Sequence, residues 1–382
     1  MNNNKISILS VESVSPLGIN SNDVWNNYLT KNHHIVKDID FSYLASPLQI
    51  NELTQIKNLR QSHSKYKKLD ETVLLAILAS RQAIKKTNWK TEDVFGINIG
   101  SSRGATKLFE QYHKDYLKND NVSVLSSPTT TLGNISSWVA HDLQSDGPEL
   151  SHSITCSTSL HSVLNAIAWL NSGMSDKFIV GGSESPITGF TIAQMKALKI
   201  YATQNKDYPC EAGIRNKDKN SMVLGTASAV ACLENGVHKN ALAFISGYGY
   251  ATEPLEHNVS ISTNADCLQK SMTMALKNID ITDVDIIITH TPGTIKGDNS
   301  ELNAIDKVFG ESKPALTNNK WKIGHTFATS GMLSIQLAVL MIKEQKFIPV
   351  PFLNQQKPKK IENILINSVG FGGNAVSILI TK

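Results

Sequence analysis

Cys156 lies in the segment Ser153-Ile154-Thr155-Cys156-Ser157-Thr158-Ser159. A short β-branched run precedes it, and Leu160, Val163, Leu164, Ile167 and Leu170 follow at helical spacing. A thiol at the start of a helix sits where the dipole and free N–H groups favour the thiolate, the form that attacks a carbonyl carbon. The small polar flanks leave room for a ligand. The plainer reading is a buried cysteine acting as an inert small hydrophobe. His290 ends the apolar run Ile286-Ile287-Ile288-Thr289 and opens the turn Thr291-Pro292-Gly293-Thr294. A polar ring at the carboxyl end of a buried strand is where α/β sheets place their sites. His325 follows Gly324 and precedes a long apolar segment, with Lys320 five positions before it. Each ring could equally be a loop residue without a task, and Lys320 a solvated lysine. The run Gly370-Phe371-Gly372-Gly373-Asn374 either forms a tight hairpin or brings N–H groups close to a ligand, as an oxyanion hole requires.

Positioning these groups requires strands that end, and helices that begin, beside them. Ile6–Val14 reads as a strand closed by Ser15-Pro16-Leu17-Gly18. Asp70–Lys85 carries a helical stripe, with Val73, Leu74, Ile77, Leu78 and Ile84 on one side. Short strands are expected at Ile97–Ser101, Phe178–Val180, Met222–Leu233, Ala241–Tyr250, Ile286–Thr289, Ile364–Val369 and Ala375–Ile380. Helices are expected at Asp266–Lys277, Glu301–Val308 and Gly331–Glu344. Strands alternating with helices define an α/β protein. The pattern recurs in two parts, residues 1–238 and 239–382, which permits an internal duplication.

The bulk properties narrow the function classes. A chain of 382 residues with 41% hydrophobic and 18% charged residues is globular, with a core too large for one simple unit. A net charge of +4, from 37 basic and 33 acidic residues, is no nucleic-acid footprint. Cys156, Cys210, Cys232 and Cys267 have neither the short spacing of a metal site nor the density of a disulfide framework. No metal or other cofactor is implied. No signal-like N-terminus and no membrane-spanning stretch is evident, so a cytoplasmic protein is expected.

Taken together, these segments resemble the β-ketoacyl-acyl-carrier-protein synthase family, in its elongating Cys-His-His form. The resemblance covers nearly the whole chain. Val14-Ser15-Pro16-Leu17-Gly18, Asn134, Gly147-Pro148, Cys156 with His161, and Gly181-Gly182-Ser183-Glu184 carry it in the first half. His290-Thr291-Pro292-Gly293-Thr294, Asp298, Glu301, Lys320, Gly324-His325 and Gly370-Phe371-Gly372-Gly373 carry it in the second.

The resemblance implies a thiolase-like fold of two similar halves, each with a mixed sheet, layered αβαβα. It implies acyl transfer to Cys156, then decarboxylative Claisen condensation with a malonyl carrier protein, in fatty-acid, polyketide or aryl-polyene-type biosynthesis. Cys156, His290 and His325 are then catalytic. Lys320 supports them by pairing with Glu301, near Asp298. The amides of Cys156 and Phe371 form the oxyanion hole, and Phe371, backed by Gly372, is the gate. The implied partners are an acyl carrier protein and a second subunit, as a homodimer or a heterodimer with a related synthase. The basic run Lys65-Tyr66-Lys67-Lys68, read as a helix start, matches a carrier-docking region and is also an ordinary solvated helix start.

Departures mark a divergent member. Thr155 and Ser159 replace small residues around the nucleophile, and Gly225-Thr226-Ala227-Ser228 lacks an acidic residue. The rival reading is a non-catalytic chain-length-factor-like subunit, which would not need Cys156. A thiolase would need a second late cysteine, and none follows Cys267. An initiating Cys-His-Asn synthase would have Asn where His325 stands.

Overall fold

The computed structural model describes residues 5–37, 43–90, 92–132, 134–254, 261–312 and 314–382. Thirteen strands are found among them: β1 (Ile6–Val14), β2 (Val36–Lys37), β3 (Leu44–Ser46), β4 (Gly96–Gly100), β5 (Glu149–Leu150), β6 (Lys177–Glu184), β7 (Leu224–Gly225), β8 (Ala227–Asn235), β9 (Ala243–Thr252), β10 (Ile286–Ile288), β11 (Ala315–Thr317), β12 (Asn363–Val369) and β13 (Asn374–Thr381). One five-stranded sheet runs β5-β4-β6-β8-β1 and another runs β11-β10-β12-β13-β9, with β2-β3-β7 forming a small third sheet.

In sequence order within each large sheet, both run third-second-fourth-fifth-first. In both, the first three strands across are parallel and the last two antiparallel. The same mixed topology thus occurs twice.

Side-chain alternation explains the layering. Ile286 and Ile288 face the largest core cluster while Ile287 faces another; Ile364 and Ile366 oppose Leu365, and Phe178 and Val180 oppose Ile179, in the same way. Strands buried on both faces read as unbroken β-branched runs, as here. Helices Thr158–Ser172 and Ser330–Glu344 pack on each other and on strands of both sheets, forming the central layer. Every residue from Ser330 to Ile342 is buried. Helix Glu71–Lys85, capped by the Asp70 side chain, covers the outer face of one sheet. Helix Asp266–Ala275 covers the other. This is an αβαβα sandwich.

Several boundaries differ from expectation. Met222–Leu233 is not one strand: β7 joins the small sheet and β8 the large one. The helix expected at Glu301–Val308 begins earlier, spanning Ile295–Phe309 with the Thr294 hydroxyl as cap. β6 runs on through Gly181-Gly182 because both pair with β4 and β8, and side chains added there would strike the Ala229 and Ala328 backbones. Lys65-Tyr66-Lys67-Lys68 does not begin a helix. Ser64–Tyr66 is a separate 3-10 turn, because Asp70 caps the helix beginning at Glu71.

Leu337 is fully buried in the central layer. Leu337→Ala is expected to cost about 2–5 kcal/mol, read as a lowered urea midpoint; a change under about 1 kcal/mol would contradict this packing.

Candidate active site

Cys156 sits on a sharp elbow between β5 and helix Thr158–Ser172. Thr155, just before it, has a left-handed backbone (φ 47°), unusual for a β-branched residue. The strain is held by side chains: Thr158 Oγ1 and Ser102 Oγ donate to the Thr155 carbonyl at 2.6 and 2.7 Å. Ser368 Oγ donates to the Cys156 carbonyl at 3.1 Å. A side chain at Gly370 would collide with the Thr155 hydroxyl, so the glycine turn between β12 and β13 must be bare to reach the elbow.

His290 follows the end of β10 through Thr289. Both oxygens of buried Glu301 hold its loop, accepting the amides of His290 (2.9 Å) and Thr291 (2.6 Å). Asn367 donates to Glu301 at 3.2 Å, Ser377 donates to Asn367 at 2.8 Å, and Ser271 lies 2.8 Å from Ser377. A polar chain therefore runs from the His290 loop through β12 and β13 to an outer helix. Asp298 ties a second stretch: it pairs with buried Lys217 at 2.6 Å and accepts the amides of Gly213 and Gly293.

His325 is fixed by its backbone. Its amide donates to the Val223 carbonyl at 2.6 Å and its carbonyl accepts Gly225 N–H at 3.1 Å. The Gly225 segment, divergent in sequence, thus lies directly against the second histidine. A side chain at Gly225 would strike the Ile323 carbonyl.

The three groups meet. Cys156 Sγ and ring nitrogens of His290 and His325 all lie within 4.8 Å of one another. The two rings stand at 80°, centroids 5.2 Å apart, and Phe327 packs edge-on against His325 at 5.5 Å. All three border one cavity of about 310 Å³, with Met222, Pro292, Val369, Gly370 and Phe371 also in its wall. Neither ring nitrogen of His325 has a protein hydrogen-bond partner among the described residues.

Electrostatics corrects one expectation. The helix start does not make Cys156 acidic, because desolvation dominates and pushes the thiol up to about 12, opposed by the Lys320 charge. Burial also holds both imidazoles well below 6.5, and Lys320 pushes in the same direction. The resting site is therefore a neutral thiol beside two neutral rings.

Lys320 is buried, but among the described residues it makes no ion pair with Glu301. Glu301 has spent its oxygens on backbone amides, and the two interact only through space. Phe371 is half-buried at the cavity wall, whereas Gly372 is exposed beside it. Lys67 and Lys68 are exposed and Lys65 half-buried. Lys217 was not foreseen. It lies in an irregular stretch without periodicity, and only the fold shows that it meets Asp298. The strained Thr155 likewise left no sequence signal.

The fold and this constellation are those of a thiolase-like condensing enzyme. The Beta-ketoacyl synthase, N-terminal domain model matches residues 3–238 and the Beta-ketoacyl synthase, C-terminal domain model matches residues 242–354. The chain belongs to the β-ketoacyl synthase family. It is 26% identical to a 3-oxoacyl-[acyl-carrier-protein] synthase 2 from Staphylococcus aureus (strain COL), covering 100% of this chain and 99% of the relative. It is also 26% identical to the protein of that name from Rhizobium meliloti (strain 1021), covering 99% of both. Among solved structures it resembles a type II polyketide ketosynthase in complex with its acyl-carrier protein, AntDE:AntF (TM-score 0.85, 19% identity, 99% of both chains). It also resembles the ishigamide ketosynthase/chain length factor (TM-score 0.87, 16% identity, 99% of both chains).

Both imidazoles titrate well below 6.5 when folded, so the unfolded chain binds more protons near that pH. Stability from the pair is full above about pH 6.5 and is lost as pH falls through it. The urea midpoint is expected to fall between about pH 7.5 and 5.5, and to fall less in a His290→Asn/His325→Asn variant. Equal falls would contradict the assigned charge states.

Proposed function

We propose that the chain is a decarboxylating β-ketoacyl synthase acting on carrier-bound thioesters. The observation that carries this reading is one sulfur and two imidazoles converging on a single cavity. A neutral imidazole takes the Cys156 proton as the sulfur attacks an acyl thioester. The tetrahedral oxyanion is held by the amides of Cys156 and Phe371. The carrier thiol leaves with the proton, and the acyl group stays on Cys156. A malonyl thioester then loses CO₂, and ring N–H groups of His290 and His325 hold the enolate oxygen. Its carbanion attacks the acyl-cysteine carbonyl, forming the C–C bond and releasing the thiolate. Lys320, in the same dry space, favours thiolate and keeps the rings uncharged. Glu301 and Asp298 hold the His290 loop, and Phe371, beside Gly372, controls admission of the second substrate.

The repeated sheet order supports 1–238 and 239–382 as two related halves, with Cys156 from one and both histidines from the other. Lys67, Lys68 and Lys65 are the proposed contact for an acidic carrier protein. A cytoplasmic site of action accords with four free cysteines, and among the described residues no helix is long and apolar enough to cross a membrane. The rival chain-length-factor reading draws on the divergent Gly225 segment, but such a subunit has no use for Cys156 among two buried histidines.

Acyl-carrier protein is expected to leave an acyl adduct on Cys156, read by intact mass. Cys156→Ala should lose the adduct and condensation yet retain malonyl decarboxylation. His325→Ala should lose decarboxylation by about 10²–10³-fold with Cys156 intact. Unchanged malonyl turnover in His325→Ala would refute its role.

A dimer is also proposed. Helix Thr106–Asn119 buries only Thr106 of its own residues. Phe109 (62% exposed) and Leu117 (71%) on this helix and Val124 (93%) after it are large apolar side chains left open to solvent, as exposed apolar groups at an interface are in the free chain. Light scattering should give twice the chain mass, and Phe109→Asp/Leu117→Asp should give monomers. A monomeric wild type would overturn this.

A further inference from the structure

One buried charge near the cavity has no part in the reaction above. Lys217 pairs with Asp298 at 2.6 Å, and their side chains are 3% and 0% exposed. Every other ion pair among the described residues leaves a side chain at least 20% exposed. Lys217 Nζ also donates to the Glu211 carbonyl at 2.8 Å. Taking two charges out of water costs about as much as their attraction returns, so such a pair is a poor source of stability. Its best-attested use is to fix which parts of a protein meet, and in what register.

The parts that meet here are those that carry the reacting groups. Lys217 belongs to residues 1–238, which supply Cys156, and Asp298 to residues 239–382, which supply both histidines. Lys217 lies in irregular backbone between helix Gly189–Ala197 and β7. Asp298 Oδ2 accepts Lys217 Nζ and the Gly213 amide from that stretch, while Oδ1 accepts the Gly293 amide from the turn after His290. Ser221 N–H donates to the Gly293 carbonyl at 2.8 Å, and the Asn220 side chain accepts the Ile295 amide at 2.8 Å. Asn220 and Met222 border the cavity on one side of this seam, and His290, Pro292 and Thr294 on the other. One carboxylate thus bridges two walls of the cavity, and burial alone would drive it to take up a proton; the Lys217 charge opposes that. The sulfur is fixed separately, through Thr158, Ser102 and Ser368.

We infer that Lys217 is a positioning residue for decarboxylation: acting through Asp298, it sets the His290 turn in register with the part of the chain that holds Cys156. This rests on the condensing-enzyme reading. Two half-reactions test it, both on thioesters of N-acetylcysteamine so that carrier docking plays no part. One is acylation of Cys156 by a hexanoyl thioester, read by intact mass. The other is decarboxylation of the malonyl thioester, read as acetyl thioester formed. The ratio of the second rate to the first cancels any loss of folded protein. In Lys217→Met the ratio should fall about tenfold or more, since an ångström of misplacement can cost about a hundredfold. Lys217→Met/Asp298→Asn leaves no lone buried charge and serves where the single variant fails to fold. It should keep the ratio low, because an amide has one accepting oxygen where the carboxylate uses two. A wild-type ratio in the double variant overturns the inference, because Lys217 would then serve only to neutralise Asp298. An unchanged ratio in Lys217→Met overturns it as well. A wild-type protein that neither acylates nor decarboxylates overturns the condensing-enzyme reading and the inference with it.

Discussion

Desolvation around Cys156 is the constraint from which the rest of the site follows. A buried thiol keeps its proton, and buried imidazoles stay neutral. Neutral rings can take a proton from sulfur and, with N–H turned inward, donate to a developing enolate; charged rings could do only the second. Buried Lys320 acts on these groups through space and makes no ion pair among the described residues, so its field is not cancelled by direct contact. It opposes the desolvation of the sulfur and reinforces that of the rings.

Such a site must be held without charged side chains touching the reacting atoms. The protein does this through the backbone. Glu301 grips the His290 loop by two amides, Asp298 grips the next turn by another, and β7 zips against His325. The polar chain from Glu301 through Asn367 and Ser377 to Ser271 satisfies each buried partner in turn, which low-dielectric surroundings demand. Left-handed backbones at Thr155 and Phe327 flank the sulfur and His325. Each costs about 1–3 kcal/mol and persists because packing over-determines it.

The two-fold repeat of the sheets gives this arrangement its economy. The same strand order delivers a loop to the cavity from each large sheet, and the central helices Thr158–Ser172 and Ser330–Glu344 pack into the largest apolar cluster. Stability and site share one layer. The helix that makes the core therefore also orients the elbow in front of it.

Much of this was legible in the residues themselves. Unbroken β-branched runs such as Ile286–Ile288, the Asp70 cap and the apolar segment at 330–344 fixed the α/β alternation, because periodicity and capping are local. Cys156, His290 and His325 stood out through their places at strand ends and helix starts. Whether they met was not legible, since they are 134 and 35 positions apart and only sheet pairing closes that distance. The tertiary structure also decided charge: burial, a non-local quantity, overrode the helix start at Cys156. It replaced the expected Lys320–Glu301 pair with amide contacts and matched Asp298 to Lys217 across 81 positions. Local pattern fixes which elements form; charge state and partnership depend on what folding brings near and what water it removes.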